Sequence, residues 1–268
     1  MFTRIAYPAA ARDAVRETDQ LWRAVCALPE GTLKQFGYTP DQKLSGVGFE
    51  MKDGTSSYDQ KLLMHLKQDA MVDLLERAEC VGDNGVFLRF IESALRIPDA
   101  IAPVVEQFAT ELENGFQLSG FAKQVMDAQG NWMVRFLKYP SKPAGEMLAA
   151  QHADKGGFTL HLSESGPGVE YLDTDGEWKE LPLSGLETAI IPGLQLQHRA
   201  RCQLLATCHR VRSMPETADQ GRYAAVCFVD FRHTRFYNKK GIGPTQDHPP
   251  GFNYGMPWEE FDRKYFIT

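Results

Sequence analysis

The sequence predicts a mainly β protein with a helical N-terminal layer packed on its core. Before residue 131, three segments carry apolar residues at helical spacing. From Trp132 onward, short apolar runs alternate with turn signals, the pattern of an antiparallel sandwich or barrel. No linker, repeat or low-complexity stretch interrupts the 268 residues, a length that can bury a substantial core. One domain is expected: residues 1–131 mostly helical, 132–235 the β core, and 236–268 a C-terminal tail.

Along the first half, residues 13–27 place Val15, Leu21, Trp22, Val25 and Cys26 near helical spacing, and Pro29-Glu30-Gly31 stops the pattern. The segment 36–55 is rich in Gly, Asp and Lys and reads as a surface loop or short hairpin. Residues 60–79 read as a second helix through Leu62, Leu63, Leu66, Met71, Leu74 and Leu75. Residues 101–126 read as a third through Val104, Val105, Phe108, Leu112, Phe116 and Phe121. Such stripes are core-facing far more often than they are docking surfaces.

In the second half, strands are expected at 132–139, 158–162, 169–172, 188–191, 203–207 and 223–231. Asp173-Thr174-Asp175-Gly176 forms a hairpin turn between two of them, because Asp and Gly tolerate the positive φ that tight turns demand. The Pro- and Gly-rich tail ends in a short helix over 259–265.

Charge excludes some functions. A net charge of −6 with a pI near 5.7 offers no basic face for nucleic acid or an anionic membrane. No stretch approaches the ~20 apolar residues of a membrane helix. Residues 1–11 lack a long apolar core, so no secretory leader is expected in them. Five cysteines without CxxC spacing fit reduced thiols in a cytoplasm better than a disulfide framework.

His152-Ala153-Asp154 is the first constellation with chemistry in it. In a strand, residues i and i+2 share a face, so an imidazole and a carboxylate would meet at one spot. His209 in Thr207-Cys208-His209-Arg210-Val211 is the candidate third ligand, far enough along the chain to return on a neighbouring strand. Two His and one carboxylate make the facial triad of non-haem iron(II) oxygenases, leaving three open positions. A zinc hydrolase could use the same donors with one open position. His161 is the rival ligand, but strict alternation from His152 would place it on the opposite face, and a structural role is expected for it. Arg222 opens an apolar run, Tyr223 to Phe228, where a guanidinium at a strand end can grip a carboxylate through its fork.

Several further segments carry a family resemblance. Arg135-Phe136-Leu137-Lys138-Tyr139-Pro140 resembles an Arg-x-Asn-x-Tyr-Pro strand. His152 to Leu160 resembles His-Thr-Asp-x-Gly-x-Leu-Thr-Leu, and Val169 to Pro182, with Gly176 and Trp178, resembles the following hairpin. Gly193-Leu194-Gln195-Leu196-Gln197 is similar to Gly-Asp-x-Leu-Gln, and Arg222-Tyr223-Ala224 falls at Arg-x-Ser. These patterns are those of the isopenicillin N synthase-like branch of 2-oxoglutarate/Fe(II)-dependent dioxygenases, which the chain resembles. The match covers roughly residues 132–232, with a fainter echo in Ala27-Leu28-Pro29-Glu30 and Phe36-Gly37-Tyr38.

This resemblance implies a double-stranded β-helix (a jelly roll, cupin-like) with iron(II) held by His152, Asp154 and His209. It implies 2-oxoglutarate as co-substrate, its far carboxylate clamped by Arg222 with help from Tyr139. The reaction implied is oxidation, by default hydroxylation, of an unactivated C–H bond in a small metabolite, using dioxygen and releasing succinate and CO2. Two residues depart from the pattern: Ala224 stands for the serine, and Leu137 for the asparagine. Each lost hydrogen bond to a charged group costs ~1.5–3 kcal/mol unless another donor substitutes. An iron(II) oxidase of the same fold that dispenses with 2-oxoglutarate stays open, as does a metal-dependent hydrolase or small-molecule binder. Candidate pocket walls are Phe36, Tyr38, Phe49, Phe231, Phe236 and Tyr237.

Overall fold

A computed structural model of the chain describes residues 3–37, 47–52, 60–80, 85–181, 187–200 and 203–231. The expected tail helix at 259–265, along with Tyr38, Phe236 and Tyr237, lies outside them.

After a short strand β1 (Thr3–Ala6), helix α1 (Ala9–Val25) buries Ala11, Val15, Thr18, Trp22 and Val25, a stripe spaced alternately by four and three residues. Trp22 is fully buried, and its indole N–H donates to the Leu137 carbonyl at 3.2 Å, which ties the helix to the sheet beneath. α2 (Glu30–Gln35) follows, then α3 (Val72–Cys80), α4 (Gly85–Leu95), α5 (Ile97–Phe116) and α6 (Phe121–Met126). The expected helix over 101–126 is therefore two. Gln117 adopts a left-handed φ of 54°, which ends α5. The Glu113 carboxylate then accepts the N–H groups of Gly120 and Ala122 at 3.0 and 2.8 Å, holding the start of α6.

The expected helix at 60–79 is corrected more deeply. Its first part is a strand, β3 (Lys61–Lys67), and only Val72–Cys80 is α-helical. Met64 and Leu66 pack under the helices while Leu63 faces the other way. A strand buried on both faces reads as a continuous apolar run, which periodicity cannot tell from a helix. β2 (Gly48–Lys52) pairs antiparallel with β3, the strand part of the expected loop or hairpin.

The remaining strands are β4 (Met133–Tyr139), β5 (Met147–His152), β6 (Phe158–Glu164), β7 (Val169–Leu172), β8 (Trp178–Glu180), β9 (Glu187–Pro192), β10 (His209–Arg212) and β11 (Arg222–Val229). They form a seven-stranded sheet, β1-β9-β6-β11-β4-β3-β2, and a four-stranded one, β5-β10-β7-β8, with antiparallel pairing throughout. The expected strand at 203–207 is absent; that stretch is an irregular approach to β10, preceded by a short helix α7 (Leu194–Arg199). The β7–β8 turn is as expected, with Gly176 at φ 79° and the Asp173 carboxylate accepting the N–H groups of Asp175 and Glu177.

Alternation on the large sheet explains both cores. Ala225, Cys227 and Val229 of β11 and Val134 and Phe136 of β4 pack against the helices. Ala224 and Val226 of β11 and Leu137 and Tyr139 of β4 point the other way, where they meet Leu148, Val169 and Val211 of the small sheet. That inner space, between the two sheets, is where the candidate site lies. The jelly-roll core with a helical layer is the fold class expected from the sequence.

Candidate metal centre

His152 is the last residue of β5, and His209 is the first of β10. The two are direct cross-strand partners, so their side chains share one face of the small sheet, with ring centroids 4.4 Å apart. Asp154 lies just beyond β5 rather than within it, so the i, i+2 strand argument reaches the right residue by the wrong geometry. A loop, not a pleat, turns its carboxylate to the imidazoles.

That loop is fixed by α7. The N–H groups of Leu194 and Gln195, unsatisfied within any helix start, donate to the carbonyls of Asp154 at 2.8 Å, Lys155 at 3.1 Å and Gly156 at 3.0 Å. Gly193 donates to Gly157 at 2.8 Å. A side chain at Gly193 would collide with the Gly156 carbonyl and sit 2.9 Å from the Asp154 carbonyl oxygen, so only glycine permits this approach. The Gln197 side chain accepts the Ala206 N–H at 2.7 Å, which steers the chain toward His209. The Gly-Leu-Gln-Leu-Gln motif thus serves the metal ligands from behind.

Nδ1 of His152 lies 2.8 Å from the Ala150 carbonyl, and Nδ1 of His209 lies 3.1 Å from the Thr207 carbonyl. A carbonyl only accepts, so each Nδ1 carries the proton and each Nε2 presents its lone pair. Those Nε2 atoms lie 3.7 and 3.9 Å from the two Asp154 oxygens. One donor atom from each of the three residues falls within 4.8 Å of the others. Cis ligands on an octahedral ion with ~2.1 Å bonds lie about 3 Å apart, so closure on a metal needs roughly 1 Å of contraction. The donor set fits such an ion.

Protonation also suits ligation. Burial and then the neighbouring His209 push His152 down to about 4, so its imidazole is neutral near pH 7. Burial raises the Asp154 carboxyl, but the two imidazoles and the Thr159 hydroxyl outweigh it and hold it below its ordinary value. Thr159 Oγ1 donates to Asp154 Oδ2 at 2.6 Å, fixing the carboxylate's orientation.

His161 lies on β6, not on the strand of His152, so the alternation argument used against it does not apply. It does face inward, with its ring 6.2 Å from that of His209, but its Nδ1 is bonded to Glu164 at 2.8 Å and it is not part of the triad. Its Nε2 is buried without a hydrogen-bond partner among the described residues.

Arg222 is buried rather than solvated, at 1% exposure, on the inner face of β11 opposite Tyr139 of β4. Its guanidinium forms an ion pair with Glu164, a partner not anticipated from sequence. The cause is a β-bulge. Val226 pairs with His161 and Ala224 with Glu164, so an extra residue in β6 lets two side chains of unlike parity both face inward. Of the candidate pocket walls, Phe36 and Phe49 are buried in the helix-side core, where Phe36 stacks on Phe87, and Phe231 packs on Phe121. Phe228 of β11 was missed. It faces inward, pairs with Thr159 and carries the Arg135 guanidinium 4.4 Å above its ring.

Comparison with solved structures places this architecture. A Neurospora crassa protein crystallised with alpha-KG and 5-formyluracil superposes with a TM-score of 0.68 at 16% identity, covering 87% of this chain and 75% of that one. A 2OG-Fe(II) oxygenase family protein from Caulobacter crescentus gives 0.68 at 23% identity over 85% and 77%. The fold is that of the 2-oxoglutarate/iron(II) oxygenases. A dioxygenase for auxin oxidation from Arabidopsis thaliana, in complex with 2-oxoglutarate, shares this oxygenase fold at a TM-score of 0.65 and 16% identity over 85% and 82%. No family model and no curated protein matches the chain.

Proposed function

We propose that this protein is a 2-oxoglutarate- and Fe(II)-dependent dioxygenase that oxidises, by default hydroxylates, an unactivated C–H bond of a small metabolite. The observation that carries this reading is the convergence of His152, Asp154 and His209 at the mouth between the two sheets of an oxygenase fold. Bound there, iron(II) with a 2-oxo acid and dioxygen would supply the oxidising power, with release of succinate and CO2.

The chain's own residues hold and orient. Two neutral imidazoles and one carboxylate leave three positions open on one side of the ion, enough for a bidentate 2-oxo acid and dioxygen. Thr159 and the two backbone carbonyls lock the ligand rings and carboxylate in place. Arg222 and Tyr139 stand side by side on the inner wall, where the far carboxylate of the co-substrate would reach. Structural neighbours crystallised with alpha-KG support this reading, and one of them holding 5-formyluracil supports a small-molecule substrate. The assignment to the isopenicillin N synthase-like branch rests on the sequence motifs alone.

One observation favours a second reading, an iron(II) oxidase that does not use 2-oxoglutarate: Glu164 already occupies Arg222. Oxygen uptake by the iron-loaded protein separates the two. With 2-oxoglutarate alone, slow oxygen consumption matched by succinate is expected, and Asp154→Ala should abolish it. Uptake that ignores 2-oxoglutarate but responds to a substrate would favour the oxidase. A metal-loaded protein with no oxygen uptake under any condition would belong with the hydrolases or binders.

A further inference from the structure

His161 stands in the chamber between the two sheets with half of its hydrogen-bonding capacity engaged. It is 5% exposed on the inner face of β6, and its cross-strand partner Val226 belongs to the inner apolar cluster. Its ring meets that of His209 edge-on, with centroids 6.2 Å apart and planes at 82°, so it lies beside the metal ligands without being one of them. Nδ1 is 2.8 Å from Glu164 Oε1, while Nε2 is buried with no partner among the described residues. A buried polar atom left so calls for a partner that arrives from outside the chain.

The engaged half decides what the open half can recognise. Glu164 is held twice, by the Arg222 guanidinium on Oε2 and by His161 on Oε1. The ion pair with Arg222 favours the ionised carboxylate, and an ionised carboxylate only accepts. In the neutral imidazole the proton therefore sits on Nδ1, and Nε2 turns a lone pair to the chamber. That lone pair repels the oxygens of an anion and receives an N–H or O–H. Val226, across the ladder, presents only carbon to the same space. A 2-oxo acid in its ionised form carries no such donor, so the co-substrate leaves Nε2 unsatisfied.

Resting on the function proposed above, we propose that His161 Nε2 accepts a hydrogen bond from an N–H or O–H of the substrate. The substrate class is then a donor-bearing small molecule, an amide, lactam or alcohol, rather than one that turns a carboxylate to this wall. His161 is a specificity-determining residue. Glu164 is the positioning residue that fixes its tautomer, and Arg222 holds Glu164.

Proton relaxation of small fragments by the Mn(II)-loaded protein tests this, with the Zn(II)-loaded protein as diamagnetic blank. 2-Pyrrolidinone, γ-butyrolactone and cyclopentanone are near-isosteres in which one N–H becomes O or CH2. The parent should prefer 2-pyrrolidinone over both by roughly 3- to 10-fold, the worth of one hydrogen bond. His161→Leu should erase that preference, whereas His161→Gln, whose amide can donate to Glu164 and turn its oxygen inward, should keep most of it. Arg222→Met combined with Glu164→Met should also erase it, because nothing then holds the proton on Nδ1. The 2-pyrrolidinone signal should survive saturating 2-oxoglutarate in the parent; its displacement would put the donor in the co-substrate's room and overturn the assignment to substrate. Equal binding or no binding of the three fragments by the parent would mean that Nε2 holds only water. A preference that persists in His161→Leu would equally overturn the inference, and in each of these cases the metal reading stands. Failure of the parent to bind Mn(II) would sink that reading as well.

Discussion

His209 stands directly across from His152 in the β5–β10 ladder, and this register brings the two ends of a 57-residue excursion (209 minus 152) to one metal-sized gap. Ladder register is strongly specified where one face is buried, because a one-residue slip would send every side chain to the other side. Val211 of β10 and its β5 partner Ala149, both in the inner cluster, anchor it here, one bulge away from the histidine pair. The ligand geometry is therefore inherited from the packing of the small sheet, while the loop carrying Asp154 depends on separate supports.

Thr159 is one of those supports. Thr159→Val keeps the shape but removes the 2.6 Å hydrogen bond to Asp154. Metal affinity is expected to fall ~10- to 100-fold, the usual cost of losing such an outer partner, with the fold retained. A competitive chelator titration monitored beside circular dichroism checks both halves.

Gly193 is the other. Gly193→Ala forces a methyl into the Gly156 and Asp154 carbonyls, which belong to backbone and cannot swing aside. A stability loss of ~1–3 kcal/mol in urea unfolding is expected. Weaker metal binding should accompany it, because the displaced segment carries a ligand. Unchanged metal affinity would mean that α7 does not position Asp154.

Arg222 and Glu164 form a buried pair whose two halves are not separable without cost. Arg222→Met alone strands a carboxylate at 9% exposure and should destabilise the fold by ~3–5 kcal/mol. Arg222→Met combined with Glu164→Met removes both charges and should be far milder. Additive losses in the double-mutant cycle would show that the pair is not coupled.

The thiols give a chemical check on burial. Desolvation pushes Cys26 up to about 12 and Cys227 higher still, so neither forms thiolate near neutral pH. Among the described cysteines, Cys80 alone is exposed. Brief iodoacetamide treatment of the native protein should modify Cys80 and spare Cys26 and Cys227, as read by peptide mass mapping. Full labelling of Cys227 would contradict the helix–sheet packing.

Much of this was legible in the sequence where one residue decides one thing. His152, Asp154 and His209 are chemistry-bearing types at a revealing spacing, and β4, β7, β9 and β11 stand out as apolar runs bounded by turns. What failed had physical causes. β3 was hidden because both its faces are buried, and the 101–126 pattern breaks at Gln117, a residue type that seldom takes a left-handed φ, while the nearby Gly115 stays helical. β5 carries Ala149, Ala150 and Gln151 rather than the branched and aromatic residues that mark strands. Glu164 could not be seen as a partner of Arg222, because a bulge overrides the two-residue alternation on which strand reasoning depends.

The most direct test of the central claim is an anaerobic titration of the purified protein with iron(II) and 2-oxoglutarate, watching for the weak visible charge-transfer band of the chelate. A band that saturates at one iron per chain in the parent and is missing in His209→Ala is the expected result. Iron binding without any band would leave the triad but remove 2-oxoglutarate from it. Failure of the parent to bind iron(II) at all would contradict the account.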